Sequence, residues 1–479
     1  MIRRTRLMAL LAVGALTVAA CGSDEKSSTD TTAPAAETTA PVDTAEPDTT
    51  EPVTSESATT DPATDATDPP ATDPAAETWA VNTDDCVDPD RANAPIEGTI
   101  KIGSVMPLSG GAAAAAFAPV AQGLQAYVDY ANESGLLGDV KVEIAIEDDQ
   151  YSKDLTPGAV EKLLDNGVNM FTGIIGTPNN AAVRDLLNEE CVPQLLALTG
   201  SPQWGEVADY PWTTGILTPY AIEIQGYLNE LRNQFPDGGT LGVFTVNNEF
   251  GAYYLEALDE YAADYGFEVV EQQTIEAAET APPTAQVSAI AAAAPDAIVA
   301  VPLGAQCGTF LGEVVNAKAA NSGWDPPVFL TNTCASALIL AISGPAADGL
   351  YTSAGAGLAD IGNPAVVASN PDYQAYVDYM TSKGLADIIT TGGAGWNVGE
   401  VTFAILKQAM ESPEGLTQAS IINAARNFTY EPSLGRDGVV YKLSGTEDRF
   451  LAEAIQIVQY DATAKIFNNI GDLVLDYES

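Results

Sequence analysis

The chain has 479 residues, with 66 Asp and Glu against 19 Lys and Arg, no histidine and a formal net charge of −47. So acidic a chain disfavours nucleic acid as a partner, and acids spread without long runs fit solubility. The missing histidine removes Ser–His and Cys–His nucleophile pairs, histidine metal ligands and imidazole bases. No G-x-S-x-G elbow, Walker A loop, C-x-x-C pair or zincin helix is present, and neither a metal nor a cofactor is expected. Carboxylate-only hydrolysis stays open, though no acid pair stands out among so many.

The first elements belong to export. Arg3, Arg4 and Arg6 precede an apolar run over residues 7–20, too short to span a bilayer and suited to a signal-peptide h-region. The run ends Val18-Ala19-Ala20-Cys21, which resembles a bacterial lipobox. Residues 1–21 are therefore expected to be a lipoprotein signal, with a lipid on Cys21 holding the chain on the extracytoplasmic face of the cell membrane. An ordinary cleaved signal peptide is the alternative. Residues 22–97 are nearly all Thr, Ala, Pro, Asp, Glu and Ser. That composition buries too little apolar area to offset ordering entropy, so it predicts a disordered acidic stalk reaching on the order of 50 Å. Cys86, Cys191, Cys307 and Cys334 form an even set in an oxidising compartment, where disulfides are expected. Of the three possible pairings the favoured one joins Cys86 to Cys191, pinning the end of the stalk, and Cys307 to Cys334, joining two strand-end loops. Free buried thiols are the alternative.

From Gly98 the chain alternates strand and helix. Residues 99–106 predict a short apolar strand. Residues 117–134 predict a helix with Val120, Leu124, Tyr127, Val128 and Ala131 on one stripe and Gly135 at its C-cap. Strands follow at 140–147, 170–175, 194–198 and 212–215. Helices separate the first three, at 156–167 (opened by Thr156-Pro157) and 178–190. After Pro219 the pattern restarts with helix 220–235, strand 241–245, helix 252–265 and strand 268–274. Helix 284–294, strand 297–301, helix 309–320 and strand 328–331 continue it, and a last strand covers 454–460. Such alternation implies parallel sheets covered on both faces, and about 380 residues exceed one open sheet. The expected fold class is α/β, with two doubly wound parallel-sheet lobes joined by a multi-crossover hinge. An N-lobe comprises 98–217 and 351–450, and a C-lobe comprises 218–350 and 451–479. Crossovers near 214–219, near 349–357 and before 454 would permit clam-shell closure.

Residues 101–110 (KIGSVMPLSG) are similar to the opening strand and first pocket loop of the branched-chain-amino-acid-type solute-binding proteins of ABC transporters, which have the type I periplasmic binding fold. The resemblance continues, in family order, through 147–152 (EDDQYS), 173–180 (GIIGTPNN), 191–194 (CVPQ), 199–202 (TGSP) and 247–251 (NNEFG). Ligands of open α/β sheets sit beyond the carboxyl ends of the strands, where these loops converge. Thr177-Pro178 reads as an N-cap and first-turn pair, with free amide N–H groups behind it for an anion. The resemblance implies that Ser109 and Gly110, Thr177 and Asn179, and Thr199, Gly200 and Ser201 surround a ligand α-carboxylate. For Thr177 plain helix capping is the competing role, and for Thr199 and Ser201 an ordinary polar loop. The resemblance further makes Phe250 an aromatic lid, with a hydrophobic staple for the next helix as the competing role, and places Gln306 and Thr333 at pocket positions. Amino-acid-binding members carry an acid near the position of Thr333. Here Glu249 would substitute for it, or the ligand lacks an ammonium group. Phe117 and Trp396 are candidate apolar walls, or core.

The function expected on these grounds is capture of a small amphiphilic ligand (an amino acid, or a related small acid or amide) and its delivery to an ABC-transporter permease. The protein would act as a monomer and not as an enzyme. A ligand-sensing receptor of the same fold and a carboxylate-dependent surface hydrolase are the alternatives.

Overall fold

The computed structural model describes residues 78–475 and Tyr477; Cys21, the signal and the stalk up to residue 77 lie outside the described residues. The first sheet takes β1 (Thr99–Met106), β2 (Lys141–Asp148), β3 (Met170–Thr172), β4 (Gln194–Ala197) and β5 (Thr213–Gly215) in the order β2-β1-β3-β4-β5, all parallel. Strand alternation fills both faces. Ile100, Ile102 and Met106 of β1 enter one core, while Val105 joins Phe171, Val160, Leu163 and Val183 in another. Helices Ala114–Ser134 and Ile389–Met410 cover the first face. They cross backbone to backbone because Gly123, Gly392 and Gly395 carry no side chain; a Cβ on Gly395 would run into the Val120 carbonyl.

After β5 the chain crosses over and builds β6 (Gly239–Val246), β7 (Phe267–Ile275), β8 (Ala297–Val301), β9 (Val328–Leu330) and β10 (Tyr351–Ser353). It then returns to the first lobe, adds the helices Pro371–Ser382, Ile389–Met410 and Gln418–Arg426, and forms the antiparallel pair β11 (Asn427–Tyr430) and β12 (Tyr441–Ser444). A third crossover leads to β13 (Ile455–Asp461) and β14 (Ile466–Val474). The second sheet runs β14-β13-β10-β9-β8-β6-β7. Its core is made by Val243, Phe244, Val299 and Phe310 with Tyr227, Leu228 and Leu231 of helix Tyr220–Gln234.

Three expectations need correction. The second sheet is not purely parallel: β13 runs antiparallel to β10, and β14 antiparallel to β13. The chain enters this edge from the opposite lobe, and a tight turn with Lys465 at φ 58 folds β14 back on β13. Second, β10 belongs to the second sheet, so the chain leaves that lobe after Ser353 rather than after residue 350. Third, the disordered stalk does not extend to residue 97. Residues 78–97 lie along the first lobe: Val81 N–H donates to Asn423 Oδ1 at 2.8 Å, Ile96 N–H to the Leu416 carbonyl at 2.8 Å, and helix Pro89–Asn93 buries Ala92. Trp79, Val81, Cys86 and Ile96 break the polar composition there, and Thr/Pro richness upstream hid them.

Both favoured disulfides form, Cys86–Cys191 and Cys307–Cys334. The second spans 27 residues and ties the start of the helix after β8 to the loop after β9. Replacing Cys307 and Cys334 together by serine is expected to lower stability by about 2–3 kcal/mol, read from urea unfolding midpoints.

Candidate ligand-binding cleft

The two lobes face each other with the carboxyl ends of their strands, and βα loops from both sides meet. Ala305 N–H, after β8, donates to the Ala112 carbonyl, after β1, at 2.9 Å. Lys153 Nζ, after β2, pairs with Glu249 Oε1, after β6, at 2.7 Å. Ser336 and Thr391 share a hydroxyl–hydroxyl bond of 2.8 Å. Ala113 and Ala116 of the first lobe are packed into the hydrophobic core of the second. The lobes are thus closed around a cavity of about 210 Å³.

Its walls are mainly apolar, including Phe117, Val120, Ile175, Leu198, Ile216 and Ile339. Polar lining comes from Tyr151, Asn332, Thr333 and Asn397, and from Arg436 and Asp360 beside the crossovers. Several buried polar atoms of these residues find no protein partner: Asn332 Nδ2, Thr333 Oγ1 and Asn397 Oδ1. The Asn397 amide is oriented by its neighbours. Tyr441 OH donates to the Ala356 carbonyl at 2.8 Å, so Asn397 Nδ2 must donate to Tyr441 at 3.0 Å, leaving Oδ1 as an acceptor. Such atoms are costly to bury unless a bound molecule completes them.

Of the residues singled out in the sequence, Phe117, Phe250 and Thr333 line this cavity. The others do not. Thr177 and Thr199 are buried and bonded to each other at 2.7 Å, and Tyr220 OH closes on both at 3.1 and 3.2 Å. Thr177 does not cap its helix; Gly176 takes the cap position, and a proline at the second helical position leaves fewer amides free. Thr156 likewise starts its helix without capping it, and bonds Asp149 at 2.8 Å instead. Gly200 lies under the Tyr220 ring, and Ser201 accepts from Gln203 N–H at 3.3 Å. Asn179 is buried, donating to Asp149 at 2.8 Å. Ser109 and Gly110 are exposed; Ser109 bonds Asp148. Gln306 ties down the loop after β7, donating to the Glu276 and Glu279 carbonyls at 2.9 and 2.8 Å. Trp396 sits in an aromatic cluster with Tyr127, Tyr130 and Tyr376, ring centroids 4.9–5.2 Å away, on the far side of its helix.

Sequence reasoning missed Tyr151, Tyr220, Glu223, Asn332, Asn397 and Arg436. A signal existed for Glu223. It falls on the buried stripe of helix Tyr220–Gln234, between Tyr220 and Tyr227, where an acid is out of place. Glu223 is fully buried. It accepts from Asn332 N–H at 2.8 Å, Ser353 Oγ at 2.6 Å and the Tyr227 and Tyr254 hydroxyls. Burial lifts its carboxyl above the ordinary value, and these donors pull the other way without cancelling it. Burial also raises Asp360, whose oxygens accept from Gly362 and Phe467 N–H at 3.0 and 2.9 Å. Burial pushes Glu249 up as well, but its hydrogen bond with Lys153 prevails and holds it low.

A two-lobed α/β molecule whose βα loops meet around an interlobe cavity is the architecture of a solute receptor. The periplasmic binding protein family model matches residues 99–465, and the chain belongs to that family. Solved structures agree in fold. A fatty acid ABC transporter substrate-binding protein from Thermomonospora curvata aligns with 18% identity and a TM-score of 0.68, over 80% of this chain and 94% of that one. A branched chain amino acid ABC transporter protein from Thermus thermophilus with bound valine gives 16% and 0.70, over 80% and 97%. A solute binding protein from R. palustris in complex with 4-hydroxybenzoate gives 18% and 0.64, over 79% and 98%. The fold is the type I periplasmic binding fold of ABC-transporter substrate-binding proteins of the branched-chain amino acid type. No curated protein matches the sequence. Among the described residues no helix is long and apolar enough to cross a membrane.

Proposed function

We propose that this protein is the extracytoplasmic receptor of an ABC importer, held at the membrane by a lipid on Cys21. It captures a small amphiphilic solute in the interlobe cleft, closes over it and presents the closed form to the permease. The observation that carries this reading is the cavity formed between loops of both lobes, which bond to each other across it. The carboxylates around it are occupied by hydrogen-bond donors or lysine, which counts against acid–base catalysis.

The test is a melting-temperature screen of the purified chain against amino acids, small carboxylic acids and amides. A solute present at a hundredfold excess over its Kd adds about 2.7 kcal/mol of stability. The reading fails if no solute moves the transition and none is released from the denatured protein. The lipid is tested separately: Cys21→Ala is expected to shift the protein from the membrane to the soluble extracytoplasmic fraction, and retention on the membrane would remove the anchor.

A further inference from the structure

The cavity offers a ligand one cationic side chain. Arg436 is fixed on two sides, with Nε donating to the Leu358 carbonyl at 3.1 Å and Nη1 to Asn469 Oδ1 at 2.8 Å, which leaves Nη2 without a partner among the described residues. Its neighbour Asp360 is engaged by two backbone N–H groups. Burial holds the guanidinium below its ordinary pKa, and the Asp360 charge only partly offsets this, so the positive charge is incompletely compensated. A guanidinium held this way presents a preset fork to an incoming carboxylate.

Among the described residues the lining favours an anion over an ammonium group. Asp360 is the acidic residue of the lining; Glu223, behind the wall, already accepts from four donors, and Glu249 is paired with Lys153. An ammonium beside Asp360 would also lie beside the Arg436 guanidinium, so its desolvation would be poorly offset. The loops expected to bind an α-carboxylate are closed as well, since Tyr220 OH occupies the hydroxyls of Thr177 and Thr199. The rest of the lining is mainly aliphatic and aromatic, Leu434 and Phe467 included, broken by the polar side chains of Asn332, Thr333 and Asn397.

We infer that the cleft takes an apolar monocarboxylic acid without an α-ammonium group, its carboxylate bound by Arg436. This rests on the solute-binding reading above. Calorimetric titration of the full chain with octanoate, phenylacetate, their two primary amides, leucine and phenylalanine tests it. At least one acid is expected to bind about tenfold or more tightly than its own amide, because a charge-assisted bond is lost in the amide. The two amino acids are expected not to bind. Arg436→Gln should abolish the preference for acid over amide, and Arg436→Lys should keep part of it; if the glutamine variant does not fold, the acid-to-amide ratio of the unaltered chain decides alone. Equal binding of acid and amide, binding of either amino acid, or an undiminished preference in Arg436→Gln overturns the inference. Capture of other solutes while all six probes fail overturns the ligand class and leaves solute capture standing. Failure of every solute overturns both.

Discussion

Gly304→Ala is expected to hold the two lobes apart and to weaken ligand binding by about a hundredfold or more, with both lobes still folded. Gly304 follows β8 at φ 54, and a Cβ built on it would strike the carbonyl oxygen of Ala112 in the other lobe. The obstacle is backbone against backbone, so no rotamer change relieves it. That same oxygen accepts the interlobe bond from Ala305 N–H at 2.9 Å, and the variant loses this bond when the lobes separate. Each lobe keeps its own sheet and core, so far-UV circular dichroism should not change. Small-angle scattering should show a larger radius in the presence of ligand. The backbone there, φ 54 and ψ −117, is one that an L-residue rarely adopts and costs alanine about 1–3 kcal/mol, which acts on stability whatever the lobes do. Gly312→Ala, on the helix that follows, is the control: its Cβ meets nothing within 4 Å, and binding should be unaffected. A Gly304→Ala protein that binds normally and stays compact would remove this contact from closure.

The ion pair on the same rim is the weaker contact. Lys153 and Glu249 side chains are 52% and 40% exposed, and pairs so open to water contribute about 0–1 kcal/mol. Closure therefore depends more on the shape of the Ala112–Gly304 approach and on the burial of Ala113 and Ala116 than on charge.

The strand–helix alternation was legible because its causes are local. Apolar strands such as β1 and β8 begin and end where the sequence predicts, since each is a short apolar run bounded by polar or turn residues. Gly135 closes its helix in the left-handed conformation, as its position suggested. The antiparallel edge was not legible, because strand direction is set by where the chain re-enters a sheet and not by the strand's own residues. The cleft was legible only as a place. Loop motifs located the carboxyl ends of the strands, but which side chain faces the cavity depends on partners far away in sequence. Thr177 and Thr199 have the right chemistry and lie in the right loops, yet Tyr220 covers them from the other lobe. Arg436 carries the opposite lesson: nothing around it in sequence marks it, and the crossovers alone bring it to the cavity beside residues 358–362 and Phe467.

Glu223→Ala is expected to lower stability by about 3 kcal/mol and to weaken ligand binding with it, because removing the carboxylate leaves Asn332 N–H and Ser353 Oγ without an acceptor, while the Tyr227 and Tyr254 hydroxyls fall back on the Leu330 carbonyl and Thr331. Both orphaned donors belong to residues that line the cavity, so the wall they build loosens when their common acceptor goes. Glu223→Gln keeps the shape and one acceptor oxygen and should cost much less. The pair also separates charge from geometry through pH. Burial raises the folded-state pKa of Glu223 above its ordinary 4.5, so the native state holds this proton more tightly than the unfolded chain. The stabilisation from that proton is complete below about pH 4.5 and is lost as pH rises through the elevated folded value. Asp149, Asp360 and Glu400 are raised by burial too and act in the same direction. Unfolding midpoints of the unaltered protein should therefore increase as pH falls from neutrality towards 5, and the Glu223→Gln curve should be flatter over that interval. A variant whose pH profile parallels that of the unaltered chain would show that Glu223 is as acidic folded as unfolded, and its four donors would then be holding a full negative charge inside the second lobe.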